Sequence, residues 1–327
     1  MKFEQKNPTP IVFGIPFENG IRMMQRLKRG VTGTADAPAI IIERLKKSSI
    51  DWECQLLDLQ EFAIEISPEN RDNANAILQH NLQTIAGHES ISEAITAAVA
   101  ARKIPVSLGG DHSLTYPLFR GVRHALPDAN IALLYVDAHW DMRPPEICCG
   151  VENIISSGNS FYRLLEDADM RLPGKNMAVL GIHRQPSELF KSMENYACSN
   201  GVFVGYDADC SESNAAAITE SALQQIMAGM DGVYLSLDID AVSVSDAPGV
   251  SAPADQGISR NSWLQIVETV LKSAPVFGID IVEASSRKQH WSALFPEEKQ
   301  VVPSKHDVLT PTVDLVLETM SVIAKYL

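Results

Sequence analysis

The feature that most constrains this chain is a series of short, almost unbroken apolar runs spread along its length, at residues 11–15, 106–108, 131–136, 177–182, 202–204, 233–237 and 276–282. Each is the size of a strand. Strands that read as continuous apolar runs are buried on both faces, the mark of a parallel sheet covered by helices. Helical patterns lie between them at residues 73–101, 215–230, 261–273 and 307–326, the first carrying repeated Ile, Leu and Ala with little Gly or Pro. Alternation of the two patterns predicts an α/β fold with a doubly wound, mainly parallel sheet. No Pro/Gly/Ser linker, internal repeat or low-complexity segment divides the sequence, so a single domain over residues 1–327 is expected.

A chain of 327 residues can bury roughly 75% of the surface its unfolded form exposes, so it needs neither disulfides nor structural metal to fold. The five cysteines are odd in number and none is spaced C-x-x-C, which predicts a reducing compartment. The first six residues carry no apolar signal segment, and no apolar stretch approaches the roughly 20 residues that span a bilayer. A cytoplasmic protein is expected. With 27 basic against 41 acidic side chains, the net charge is −14, so nucleic acid and anionic membranes are not expected partners.

In doubly wound sheets, ligands bind beyond the carboxyl ends of the strands. Three apolar runs end in residues with functional chemistry: Gly-Gly-Asp-His-Ser at 109–113, Asp-Ala-His-Trp-Asp-Met-Arg at 137–143 and Ser-Leu-Asp-Ile-Asp at 236–240. In an extended strand, alternate residues share a face. Asp137, His139 and Asp141 would then point one way, and Asp238 and Asp240 another common way; with His112 this makes four carboxylates and two imidazoles. Burying those carboxylates uncompensated would cost many kcal/mol or force protonation, whereas two divalent cations cancel their charge. Oxygen and nitrogen donors without thiolate favour Mn²⁺, with Fe, Co and Ni also compatible. Six protein ligands leave room for water, which coordination between metals ~3.5–4 Å apart makes nucleophilic at neutral pH. Hydrolysis is the expected chemistry. An isolated Asp-x-Asp is more often a cap, and Gly-Gly-Asp-His alone could be a turn, but the three motifs together at strand ends have no cheap structural explanation.

These motifs resemble those of the ureohydrolase family, which contains arginases, agmatinases and formimidoylglutamases. The family's G-G-D-H-S, D-A-H-x-D and S-x-D-x-D signatures are intact, and the similarity runs from residues 11–14, 20–22 and 29–30 to Asp280-Ile281-Val282-Glu283. The resemblance implies a three-layer α/β/α sandwich with a mainly parallel sheet and two Mn²⁺ per chain. It places His112 and Asp141 on one manganese, His139 and Asp240 on the other, and Asp137 and Asp238 between them. It also implies a homo-oligomer, a small-molecule substrate, and a role for Glu283 in holding amidine nitrogens.

Departures from arginases and agmatinases point to one branch. Ser157 stands where those enzymes carry a proton-shuttling histidine, Ser243-Val244 replaces their Asp-Pro, and Ala-Pro-Gly-Val-Ser-Ala-Pro at 247–253 is similar to formimidoylglutamases. So are the Ser-Ser-Gly-x-x-Phe stretch at 156–161 and Arg143. The substrate this implies, N-formimidoyl-L-glutamate, carries two carboxylates that guanidinium groups grip bidentately. Arg143 is expected to hold one and Arg184 the other, with Asn159 also on the substrate; Asp141 is the expected proton carrier, and L-glutamate and formamide the products. A urea-releasing amidinohydrolase acting on a guanidino acid or agmatine, and a non-catalytic metal-binding relative, are the alternatives. His183 is a further candidate for the missing shuttle. Trp140 is expected in the core, while Cys148, Cys149, His80, His124, His290 and His306 are read as residues without a role in the site.

Overall fold

The computed structural model describes residues 8–26, 30–145, 149–254, 256–286, 289–290 and 307–327. The first six residues, Arg29, Cys148 and His306 lie outside the described residues, as does the side chain of His290. The strands are β1 (Thr9–Gly14), β2 (Val31–Thr32), β3 (Glu53–Leu56), β4 (Lys103–Leu108), β5 (Ile131–Val136), β6 (Met177–Ile182), β7 (Phe203–Tyr206), β8 (Gly232–Asp238), β9 (Val276–Val282) and β10 (Gln289–His290). The helices are α1 (Asn19–Arg26), α2 (Ala37–Leu45), α3 (Ala74–Ala100), α4 (Thr115–Ala125), α5 (Ser160–Glu166), α6 (Glu188–Ser199), α7 (Ala215–Ile226), α8 (Arg260–Ser273) and α9 (Leu309–Ile323). Among the described residues, no helix is long and apolar enough to cross a membrane.

Eight strands form one sheet in the order β3-β1-β4-β9-β8-β5-β6-β7, every pairing parallel. β2 and β10 pair antiparallel in a separate ribbon. The two-residue period of a strand divides the core into two layers. On β5, Ala132, Leu134 and Val136 face one way, beside their register partners Val233, Leu235 and Leu237 on β8. They share that layer with Trp263 and Ile266 of α8 and Val316 and Met320 of α9. Ile131, Leu133 and Tyr135 face the opposite way, into the layer of Ile91 and Ile95 of α3, Leu118, Phe119 and Val122 of α4, and Phe161 of α5. Each such aliphatic side chain contributes about 1.5–3 kcal/mol when fully buried, and the result is the expected three-layer α/β/α sandwich.

No apolar run marks β3, because Glu53–Leu56 is an edge strand paired only with β1. One side of it is solvated, so Glu53 and Gln55 interrupt the continuous apolar sequence of a central strand. Inside the sheet, the chain passes from β4 to β5 across two positions that β8 and β9 fill later. The carboxyl ends of β4, β9, β8 and β5 therefore stand side by side where the winding changes direction, the place at which open α/β sheets bind ligands.

Candidate metal centre and pocket

Three of those strand ends close with the same device. Asp111 Oδ1 accepts from Ser113 N at 2.8 Å, Asp137 Oδ1 from His139 N at 2.6 Å, and Asp238 Oδ1 from Asp240 N at 2.8 Å. An aspartate bonded to the backbone two residues on forms a tight turn without help from the sheet. Here the structure corrects the expected pleat: β5 stops at Val136, and β8 at Asp238. Turns rather than strand alternation gather the side chains. Asp137 and Asp238 use one oxygen on the turn and direct the other, Oδ2, at His112.

His112 Nδ1 lies 3.0 Å from Asp238 Oδ2 and 3.1 Å from both Asp137 Oδ2 and Asp141 Oδ2. His139 Nδ1 lies 3.1 Å from Asp240 Oδ2 and 3.5 Å from Asp137 Oδ1. Donor atoms of His112, Asp137, Asp141 and Asp238 fall within 4.8 Å of one another, as do those of Asp137, His139 and Asp240. Asp137 belongs to both sets, whereas Asp238, expected to bridge as well, groups with the first. Buried His112 Nδ1, Asp137 Oδ2 and Asp240 Oδ1 have no aligned hydrogen bond. Such orphans are rare in folded proteins, and buried oxygen and nitrogen donors that converge without aligned hydrogen bonds fit divalent cations such as Mn²⁺.

Without a cation, burial and crowding raise the proton affinity of two members of the cluster. Burial, followed by the charges of Asp240 and Asp137, pushes the Asp238 carboxyl well above its ordinary range. Burial opposes the cationic form of His112, but Asp137, Asp141 and Asp238 outweigh it and raise the imidazole well above its ordinary value. Metal binding competes with protons for these groups, which couples affinity to pH. Beneath the cluster, Ser236 Oγ sits 3.1 Å from His112 Nε2 and donates to Asp280 Oδ1 at 2.7 Å. Its hydroxyl proton is thus engaged, so it accepts from Nε2–H, the tautomer that leaves Nδ1 free for a metal.

The Gly109-Gly110 turn ties this centre to Glu283. Both glycines have positive φ, 85° and 77°, and a Cβ on Gly110 would stand 2.6 Å from Phe17 O. Glu283 N donates to Gly110 O at 2.9 Å, and Glu283 Oε1 accepts from His112 N at 2.6 Å. The carboxylate is only 3% exposed. Burial and, after it, the charge of Asp111 push it well above its ordinary range.

These groups open onto a cavity of about 380 Å³ whose lining includes His139, Asp141, Arg143, Ser157, Asp238, Asp240 and Glu283. Arg143 is half-buried there, against Gly158, where an added Cβ would come within 3.0 Å of its Cδ and Nε. Two residues expected on the substrate are placed elsewhere. Asn159 turns inward, accepting from Ser156 N at 3.2 Å and donating to Ile154 O at 2.7 Å, so it holds the loop that carries Ser157. Arg184 points out, 66% exposed, over the Tyr206 ring and 3.8 Å from Glu194. Gln185 and Ser187 beyond it line the cavity in its place. His183 pairs with Asp207 at 2.7 Å and is not in the lining. Trp140 is buried as expected, edge-on to Phe190, and also forms part of the cavity wall. Cys149 is exposed and donates to Asp72 O. Sequence reasoning missed the supporting place of Ser236, although it lies within a motif it used.

Residues 9–293 match the model of the arginase family. Formimidoylglutamases of Streptococcus pyogenes serotypes M6 and M1 are 30% identical over 262 residues, covering 79% of this chain and 73% of theirs. Among solved structures, Trypanosoma cruzi formiminoglutamase with Mn²⁺ superposes with a TM-score of 0.70 at 18% identity, covering 99% of this chain and 97% of that one. Formimidoylglutamase from Bacillus subtilis gives 0.71 at 20% identity, with 99% and 89% covered. The chain belongs to the arginase family.

Proposed function

We propose that this protein is a binuclear manganese hydrolase that cleaves N-formimidoyl-L-glutamate with water to L-glutamate and formamide. The observation that carries the reading is a pair of residue sets that could each hold a cation, sharing Asp137 and reaching, through His139, Asp141, Asp238 and Asp240, a pocket also lined by Arg143 and Glu283. The names of the Streptococcus and Bacillus relatives support the substrate, and the Mn²⁺ in the Trypanosoma structure supports the metal. When bound, two such cations supply Lewis acidity and a water acidic enough to act at neutral pH.

The chain's own residues supply orientation. Glu283, as a carboxylate, accepts N–H groups of the cationic formimino end, and Arg143 donates to a carboxylate at the other end. Together they fix the formimino carbon above the cluster, where positioning lowers the entropic part of the barrier. Asp141, 14% exposed and facing the cavity, moves a proton toward the departing amine in the absence of a histidine at Ser157. General acid help of this kind contributes typically about 10²–10⁴-fold.

We also read the chain as one domain of a cytoplasmic homo-oligomer. Core residues running from Ile11 to Ile323 support the first point, and exposed Leu78, Leu82 and Ile85 on α3 support association. The test of function is a panel of N-formimidoyl-L-glutamate, 4-guanidinobutyrate, arginine and agmatine on the Mn²⁺-loaded protein. The highest kcat/KM with formamide release is expected for the first; a higher value with urea release from any other overturns the substrate, and no turnover at all overturns the enzyme reading.

A further inference from the structure

The hold on Glu283 is completed from outside the metal motifs. Ser251 Oγ donates to Glu283 Oε2, and Ser251 N donates to Glu283 O at 3.3 Å. The serine is itself fixed: its carbonyl accepts from Val31 N at 3.1 Å, and neighbouring Val250 forms an antiparallel bridge with Ala284. Ser251 is 2% exposed and borders the cavity beside Glu283. Glu283 has a φ of 67°, an unusual backbone conformation for a residue with a side chain, so the surrounding bonds must determine where it points.

We infer that Ser251 is a positioning residue that aims the Glu283 carboxylate at the amidinium end of the ligand, an inference that rests on the amidine-hydrolase reading. A carboxylate has about four acceptor positions. His112 N occupies one on Oε1 and Ser251 Oγ one on Oε2. Beyond these two bonds, one position on each oxygen stays open to a ligand in the cavity that Glu283 lines. That is the pattern a planar amidinium needs, with two parallel N–H groups and two acceptors. With only the His112 bond in place, Oε2 is free to rotate about the last side-chain bond, and the pair of acceptors no longer faces the ligand together. Ser251 thus acts through Glu283, whereas the role proposed for Arg143 is with a carboxylate of the ligand.

The two ends can be probed separately with acetamidinium, a small stable amidinium, and L-glutamate, using calorimetry on the Mn²⁺-loaded wild type, Ser251→Ala and Ser251→Thr. Ser251→Ala should weaken acetamidinium about 10–100-fold while leaving L-glutamate within about twofold. Ser251→Thr, which keeps the hydroxyl, should restore most of the lost acetamidinium affinity, and the manganese content of all three proteins should agree. Unchanged acetamidinium binding in Ser251→Ala, equal weakening of both ligands, or a wild type that does not bind acetamidinium would overturn the inference. A wild type that binds acetamidinium but does not hydrolyse N-formimidoyl-L-glutamate overturns the substrate reading instead.

Discussion

Ser236→Ala removes one oxygen from the most densely bonded point beneath the metal cluster. The residue is fully buried, with its hydroxyl 2.7 Å from Asp280 Oδ1, 3.0 Å from Thr115 Oγ1 and 3.1 Å from His112 Nε2. After truncation, Asp280 Oδ1 keeps the bond from Thr115, at 3.3 Å, and the Tyr234 side chain also interacts with the carboxylate. Losing a bond to a carboxylate and stranding a buried N–H together cost about 3 kcal/mol of stability in the metal-free protein. The same change releases His112 from its fixed tautomer, and loss of such a supporting partner lowers metal affinity about 10–100-fold.

Denaturant unfolding of the metal-free protein measures the first effect, and calorimetric Mn²⁺ titration at fixed pH the second. Ser107 provides the control, because it aligns with Asp280 from the other side, on β4, yet its buried Oγ has no hydrogen-bond partner. Ser107→Ala should leave Mn²⁺ affinity unchanged. An affinity within about twofold of wild type in Ser236→Ala, or equal losses in both variants, would refute a role for Ser236 in holding His112 for metal.

Three further outcomes follow from the same geometry. Arg143→Met should lower kcat/KM for N-formimidoyl-L-glutamate about 100-fold, and Arg143→Lys should recover little of it, because an ammonium lacks the planar fork; steady-state kinetics decide this. Asp137→Asn should reduce bound manganese at both sets, since they share this residue, whereas Asp240→Asn should affect the second set alone, as elemental analysis after dialysis will show. His80 is fully buried, and burial, followed by the charge of Arg22, lowers its pKa to about 3. Its unfolded value is about 6.5, so below that pH the unfolded chain takes up a proton that the folded one refuses, and stability falls by up to about 1.4 kcal/mol per pH unit. His80→Gln should remove that contribution in denaturation between about pH 7 and 5; identical slopes for variant and wild type would contradict it.

The central strands were legible because burial on both faces imposes continuous apolar sequence, and β5, β6 and β9 coincide with the runs at 131–136, 177–182 and 276–282. Helix α3 matches its predicted extent because Asn73 caps it, accepting from Asn75 N and Ala76 N. Edge strand β3 was not legible, since one-sided burial leaves no such run. The six metal-type residues stand out through their spacing, yet turns closed by Asp137 and Asp238, not a pleat, bring them together. Asn159 and Arg184 show how residue type leaves more than one use open. The amide is equally suited to closing a loop and the guanidinium to stacking on Tyr206, and only the fold decides which use is made. Ser251 carried no signal of its own, because its partner Glu283 lies 32 residues away in sequence.

Anomalous diffraction at the manganese edge from crystals of the Mn²⁺-loaded protein tests the binuclear centre most directly. Two peaks are predicted per chain, one among His112, Asp137, Asp141 and Asp238 and the other among Asp137, His139 and Asp240. A single peak, or peaks away from these residues, would contradict the assignment.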